Sequence, residues 1–186
     1  MTKRLALCFG TRDRVDLSER SIEPLIHPDI ELLVCDGSKT TMGREFAERV
    51  YQENGGDVRV HVNITGGADS WIVYALTTLL NETESPYVGL VENDCLLHPD
   101  WLGPTLALFD RGLSDGLAVG AVSARAYEDR ILCQRDGYAL MHNLGAGHIV
   151  FTREAARLTL SHYRSHWTTG NVKVFVPTAA GTLSVS

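Results

Sequence analysis

No stretch of the sequence approaches the ~18 uninterrupted apolar residues of a membrane-spanning helix. The first apolar run, Leu5 to Gly10, is too short for a signal-peptide core followed by a cleavage site, so no export is expected. Basic residues are in the minority, 17 against 23 acidic, and the formal net charge is −6 at pH 7. A chain of that balance has no general attraction for nucleic acid or anionic membrane, although a small basic patch inside a cleft is compatible with it. Cysteines are few and scattered. Cys8, Cys35, Cys95 and Cys133 form no CxxC pair, which excludes a zinc ribbon or dithiol redox motif. Cys8 and Cys35 fall inside apolar runs and read as small buried hydrophobes in a reducing, cytoplasmic setting. Internal repeats, linkers and low-complexity tracts are also missing. What remains is 186 residues, 44% hydrophobic and 22% charged, the composition of an ordinary globular protein. The length suits one domain, at roughly 100–200 residues each.

Hydrophobic periodicity predicts alternating strands and helices. Residues 4–10 are a short apolar run ending in Gly, the pattern of a buried parallel strand, and residues 30–36 read as a second buried strand. Between them Asp16 and Glu19 suggest an N-cap and its reciprocal partner for a helix to about residue 27, kinked at Pro24. Met42, Phe46 and Val50 repeat every four residues, a helix that Asn54, Gly55 and Gly56 should end. Val58, Val60 and Val62 alternate as a third strand, and Gly66–Gly67 break the chain. Ile72, Ala75, Leu76, Leu79 and Leu80 then line one helix face. Residues 86–91 make a fourth strand. Pro99 suits the first turn of a helix that Gly103 and Pro104 would interrupt, and 117–124 make a fifth strand. Weaker signals give a strand at 147–152, a helix at 154–163 and a strand at 171–176. This order predicts an α/β fold with a doubly wound, mostly parallel, Rossmann-like sheet. Residues 1–177 would form the domain and 178–186 a loose C-terminal tail.

In such sheets ligands bind beyond the carboxyl ends of the strands. Those ends collect Thr11, Arg12, Asp13 and Arg14, then Asp36, Gly37 and Ser38, then Asn63, Gly66 and Gly67, then Glu92, Asn93 and Asp94. Glu92 and Asp94 offer two hard oxygen ligands on one side of an extended chain, a set suited to Mg²⁺ or Mn²⁺ completed by substrate phosphates and water. Arg12 and Arg14 suit a phosphate, and the glycines allow close backbone approach. Together these features describe a nucleotide-diphosphate site. Each also has a plainer reading: Asp-Gly-Ser is a common turn, an acidic pair after a strand is often a solvated loop, and arginines are often surface charges. Their order on successive strand ends favours the site. Among the histidines His142, His148, His162 and His166, His148 is the best metal candidate, against the alternative of a hydrogen-bonded structural side chain. Trp71, Trp101 and Trp167 are candidates for stacking on a base or sugar, but the first two lie near helix starts and suit core or cap packing.

Three segments also carry a family resemblance, over about residues 4–158. Residues 10–26 (GTRDRVDLSERSIEPLI) resemble the opening of family 2 glycosyltransferases, a strand ending in a Thr-x-Asn/Asp-Arg turn before a helix. Residues 33–38 (LVCDGS) resemble the second strand of that family, and residues 91–102 (VENDCLLHPDWL) its DxD segment and the helix start that follows. The resemblance implies a GT-A fold, a metal-dependent hexosyltransferase-like activity, a nucleotide-diphosphate sugar as donor, with UDP or GDP favoured, and Mn²⁺ or Mg²⁺ as cofactor. It implies that Thr11 and Arg12 line the base pocket, Asp36 hydrogen-bonds the base, Glu92 faces the ribose or metal, and Asp94 holds the metal. A late histidine, here His148, would complete the metal shell. Three departures stand out. Glu92 replaces the first Asp of the motif, residues 66–71 (GGADSW) lack the family's arginine, and Glu154 is the only acidic residue beyond position 150. Glu128 and Asp129 form an acidic pair that comes too early to match the family's late one. The catalytic base and the acceptor are therefore left unassigned. Two alternatives stay open. One is a sugar-phosphate nucleotidyltransferase, whose Gly-Thr-Arg loop Gly10-Thr11-Arg12 resembles, although its paired glycines and its Pro-Lys are missing. The other is a non-catalytic nucleotide-sugar-binding domain.

Overall fold

A computed structural model describes residues 2–54, 57–62, 68–123, 131–135, 138–141, 147–166, 177–178 and 181–182. In chain order the elements are β1 (Leu5–Thr11), α1 (Val15–Ile22), a 3-10 turn (Glu23–Leu25), β2 (Ile30–Asp36), α2 (Thr41–Asn54), β3 (Val58–His61), α3 (Ala68–Glu82) and β4 (Tyr87–Glu92). They continue with α4 (Leu102–Ser114), β5 (Ala121–Val122), β6 (Ile131–Arg135), β7 (Tyr138–Met141), β8 (His148–Thr152), α5 (Arg153–His166), β9 (Pro177–Thr178) and β10 (Gly181–Thr182). Apolar runs without a polar face can only be central strands. Accordingly β1 and β2 lie inside a six-stranded sheet of order β3-β2-β1-β4-β8-β5. The pairs β1–β2, β1–β4 and β2–β3 are parallel, whereas β8 runs antiparallel to β4 and β5.

Alternation along β1 divides the core into two layers. Leu5, Leu7 and Phe9 pack with Ile22, Phe46, Val50, Leu106 and Phe109, so α1, α2 and α4 cover that face. Ala6 and Cys8 pack with Ile72, Leu76, Leu79, Ala156 and Leu160 of α3 and α5 on the other. Cys8 and Cys35 are both buried, as their apolar surroundings predict. Burial pushes the Cys8 thiol well above its ordinary range. Arg153 ties the two helices of the second face together. Its guanidinium donates to Leu80 O at 2.5 Å, Ser85 O at 3.3 Å and Thr83 Oγ1 at 3.4 Å, closing the carboxyl end of α3.

Several boundaries differ from the sequence reading. α1 ends at Ile22 and Pro24 lies in the following 3-10 turn, so no kinked helix forms. The reciprocal cap of Asp16 and Glu19 is absent; Arg14 holds the N-cap position and Glu19 pairs with Arg49 of α2. α4 starts at Leu102, after Pro99, and absorbs Gly103 and Pro104 in its first turn, where a missing N–H costs nothing. β5 shrinks to two residues because only β8 supports it. β6 and β7 form a hairpin where the residue pattern is weak, and Tyr138 Oη donates to Asp115 Oδ2 at 2.6 Å beyond the end of α4. β9 and β10 pair antiparallel, while the strand expected at 171–176 lies outside the described residues. Among the described residues no helix is long and apolar enough to cross a membrane.

Candidate functional site

Parallel pairing brings the carboxyl ends of β1, β2, β3 and β4 to one rim. Thr11 stands opposite Asp36 and Gly10 opposite Glu92. Backbone bonds continue past the strands: Gly37 N–H donates to Thr11 O at 3.0 Å and Asn93 N–H to Gly10 O at 3.1 Å. Asp36, Glu92 and Asp94 therefore share the rim. Across Gly10 lies the Trp71 ring, so close that an added Cβ would sit 3.0 Å from its Cζ3. Trp101 is buried and donates from Nε1 to Pro24 O at 2.9 Å. Both indoles are packing groups, and Trp167 lies outside the described residues.

Asp36 is 1% exposed. Its Oδ1 accepts from Ser38 N–H at 3.1 Å, and its Oδ2 is buried with no hydrogen-bond partner among the described residues. Leaving a buried acceptor unsatisfied costs ~1–3 kcal/mol, so an arriving N–H donor gains there what water would otherwise supply. The loop holding Asp36 is locked by a residue to which the sequence reading gave no role. Asp13 has φ 60°, a left-handed conformation that Asp tolerates better than most residues. Its Oδ1 accepts from Lys39 N–H and Thr40 N–H, both at 2.9 Å, and from Thr40 Oγ1 at 2.8 Å. The Thr40 bonds lead in holding the Asp13 carboxyl below the usual carboxylate range. Its own N–H donates to Ser38 Oγ at 2.9 Å. Ser38 is thereby committed to joining the two loops, while Arg12 projects into solvent and Gly37 is partly buried.

Thr11 and Asn93, expected to face a ligand, turn their side chains inward instead. Both are 4% exposed. Asn93 Nδ2 donates to Ser18 Oγ at 2.9 Å, and Ser21 Oγ donates to Asn93 O at 2.9 Å. Ser18 Oγ also donates to Arg14 O at 2.9 Å. With its single proton so used, it accepts from Thr11 Oγ1 at 2.9 Å. Two serines spaced i, i+3 on the buried face of α1 thus anchor the turn carrying the acidic pair. The signal was visible as hydroxyls on a helix face that should be apolar.

Glu92 ends β4 in a half-buried position, and its N–H donates to Gly147 O at 2.9 Å. A side chain at 147 would collide with its neighbour, since a Cβ there would lie 2.7 Å from Cys95 Sγ. Burial first, and the Asp94 charge second, raise the Glu92 carboxyl above its usual range, with Arg14 opposing. Arg14 Nη2 lies 3.1 Å from Asp94 Oδ2 and donates to Asn93 Oδ1 at 3.4 Å. Two mutually repelling carboxylates are a fitting donor set for a hard dication whose remaining ligands are phosphate and water oxygens.

His148 does not join them. It pairs with Val91 across β4 and β8, so it shares Val91's face, whereas Glu92 is one residue further along and faces the other way. It is buried in a T-shaped contact with Trp101, ring centroids 5.0 Å apart, and burial lowers its pKa to about 4. No three His, Cys, Asp or Glu side chains gather as a metal cluster among the described residues. Asn63, Gly66, Gly67, Glu128, Asp129 and His142 lie outside those residues, as does the His166 side chain, and His162 is on α5.

The family model for glycosyl transferase family 2 matches residues 15–180. No curated protein sequence matches significantly. Solved structures do. A mannosyltransferase from Pyrobaculum calidifontis, in complex with GDP-Man and Mn²⁺, aligns with a TM-score of 0.55 at 21% identity over 85% of this chain and 47% of its own. S. aureus TarS 1-349 gives 0.54 at 15% identity over 84% of this chain and 48% of its own. Its complex with UDP-GlcNAc gives 0.52 at 15% identity, covering 84% and 47%. The chain spans about half the length of these structures, and the likeness is one of fold, the GT-A α/β fold implied by the motifs. The matched segment takes in Asp36 and the Glu92–Asp94 turn, and on that match the chain belongs to glycosyl transferase family 2.

Proposed function

We propose that the protein transfers a glycosyl group from a nucleoside-diphosphate sugar to an acceptor, with Mg²⁺ or Mn²⁺ held by Asp94 and Glu92. The observation that carries this reading is the buried Oδ2 of Asp36, unpartnered among the described residues and on the same rim as the acidic pair. An ionised carboxylate only accepts hydrogen bonds. Uracil and guanine each offer a ring N–H, which favours UDP- and GDP-linked donors. GDP-Man and UDP-GlcNAc in the structural neighbours agree with that class, as does Mn²⁺ in one of them.

Asp36 would fix the base, while Asp13 keeps the Asp36 loop against the end of β1. Arg12 and Arg14 would meet the diphosphate, and Gly37 and Gly67 would let backbone approach the donor. Thr11 and Asn93 act from beneath, through Ser18. A dication at Asp94 and Glu92 supplies Lewis-acid stabilisation of the negative charge on the departing nucleoside diphosphate. Residues 1–177 would form the donor-binding domain, and cysteines in apolar surroundings suit a cytoplasmic location.

A thermal-shift panel of UDP- and GDP-sugars, with and without Mn²⁺, tests the site. A true donor at ~100 times its dissociation constant adds ~2.7 kcal/mol of stability. Release of nucleoside diphosphate supports transfer or hydrolysis, and release of pyrophosphate would show nucleotidyl transfer instead. A panel in which no nucleotide shifts the transition refutes the reading.

A further inference from the structure

The site holds its own cation, Arg14, already paired with one of the two carboxylates assigned to the metal. Arg14 is fixed in backbone position, because its carbonyl accepts from both Ser18 N–H and Ser18 Oγ at 2.9 Å and its N–H donates to Arg12 O at 2.8 Å. From there its guanidinium reaches Asp94 Oδ2 at 3.1 Å and Asn93 Oδ1 at 3.4 Å. Asn93 is in turn held by Ser18 and Ser21. The Asp94 carboxylate is the same one that would take the metal. Both partners of the ion pair are open to solvent, with side-chain exposures of 55% and 40%. Exposed pairs of this kind are weak and exchange readily.

A dication arriving alone at Asp94 would have to displace Arg14 and then share the pocket with the stranded guanidinium. A diphosphate arriving alone would have to draw Arg14 away from Asp94 and leave two carboxylates, Glu92 and Asp94, facing it. When both arrive, each charge finds an opposite partner. We propose that Arg14 exchanges partners on donor binding, from Asp94 to the diphosphate as Asp94 turns to the cation, and so makes cation and nucleotide bind as mutually dependent ligands. This rests on the donor-site reading and adds to it the residue that couples the two ligands. Coupling of this kind is reciprocal, so it must show in the affinity of either ligand.

Calorimetry and Mn²⁺ electron paramagnetic resonance on the full chain, with MnCl₂, UDP and GDP, test the exchange, and thermal unfolding checks the fold of each variant. In Arg14→Gln, Mn²⁺ alone should bind more tightly, by up to about five-fold for the lost pair. Metal-free nucleotide should bind at least about ten-fold more weakly. The factor by which nucleotide tightens Mn²⁺ should shrink. Arg20→Gln, an exposed charge on α1, should change none of these. In Asp94→Asn the freed Arg14 should tighten metal-free nucleotide, and that gain should shrink when Asp94→Asn is made in the Arg14→Gln background, where only the relief of charge repulsion remains. Parental coupling in Arg14→Gln, or an equal gain from Asp94→Asn with and without Arg14, overturns the exchange alone. A parent whose Mn²⁺ affinity neither nucleotide alters overturns the donor-site reading and the exchange together.

Discussion

Replacing Asp36 with Asn isolates the base-binding step. The side chain keeps its shape and exchanges one acceptor oxygen for an N–H donor. Ser38 N–H, 3.1 Å from Oδ1, needs an acceptor, so the amide oxygen of the variant stays there and the NH₂ takes the Oδ2 position. That position is buried and has no partner among the described residues. A base N–H arriving there would meet another donor. Losing this bond and setting donor against donor costs ~1–3 kcal/mol, and each 1.4 kcal/mol is ten-fold in the dissociation constant. Asp36→Asn should therefore weaken UDP or GDP binding by about five- to a hundred-fold. Thermal stability should change little, because Ser38 keeps its acceptor and the cost of two unpaired amide N–H groups takes the place of the cost of a buried, unpaired carboxylate oxygen. Isothermal titration with and without Mn²⁺ measures the first quantity, and unfolding followed by circular dichroism the second. Unchanged affinity in a folded variant would remove Asp36 from the base site and with it the main support for the donor reading.

Three further outcomes follow from the packing. Ser18→Ala removes the hub shared by Thr11, Asn93 and Arg14 and should cost ~1–3 kcal/mol in urea unfolding by leaving buried polar atoms unpaired; a change below ~0.5 kcal/mol would contradict the network. Arg153→Ala strips three acceptors at the end of α3 and should lower stability by about 1–3 kcal/mol while nucleotide affinity stays put; equal loss of both would link that corner to the site. His148 has a folded pKa lowered to about 4 from 6.5, so the unfolded chain takes up its proton first. Its contribution is complete above pH ~6.5 and is lost progressively as pH falls towards ~4, by a few kcal/mol at most. Urea unfolding at pH 7 and pH 5 should show that slope in the parent and a shallower one in His148→Gln; parallel profiles would reject it.

The parallel half of the sheet and its rim were legible in the residue pattern alone. Residues 5–9 and, past Glu31, residues 32–35 are apolar on both faces and separated by a helix, which makes them parallel neighbours. Parallel strands joined by helices must end on the same side, so Asp36, Glu92 and Asp94 were bound to share one rim. What followed was a matter of side-chain direction and long-range pairing, which periodicity does not encode. Only the tertiary structure turned Thr11 and Asn93 onto Ser18, bridged two loops with Asp13 and set Arg14 against Asp94. The antiparallel entry of β8, in the register that places His148 beside Val91, put that histidine on the face away from Glu92. A local apolar pattern fixes which residues enter a strand, but the strand's direction and register depend on which distant partner it buries its surface against, and those choices decide which polar groups meet.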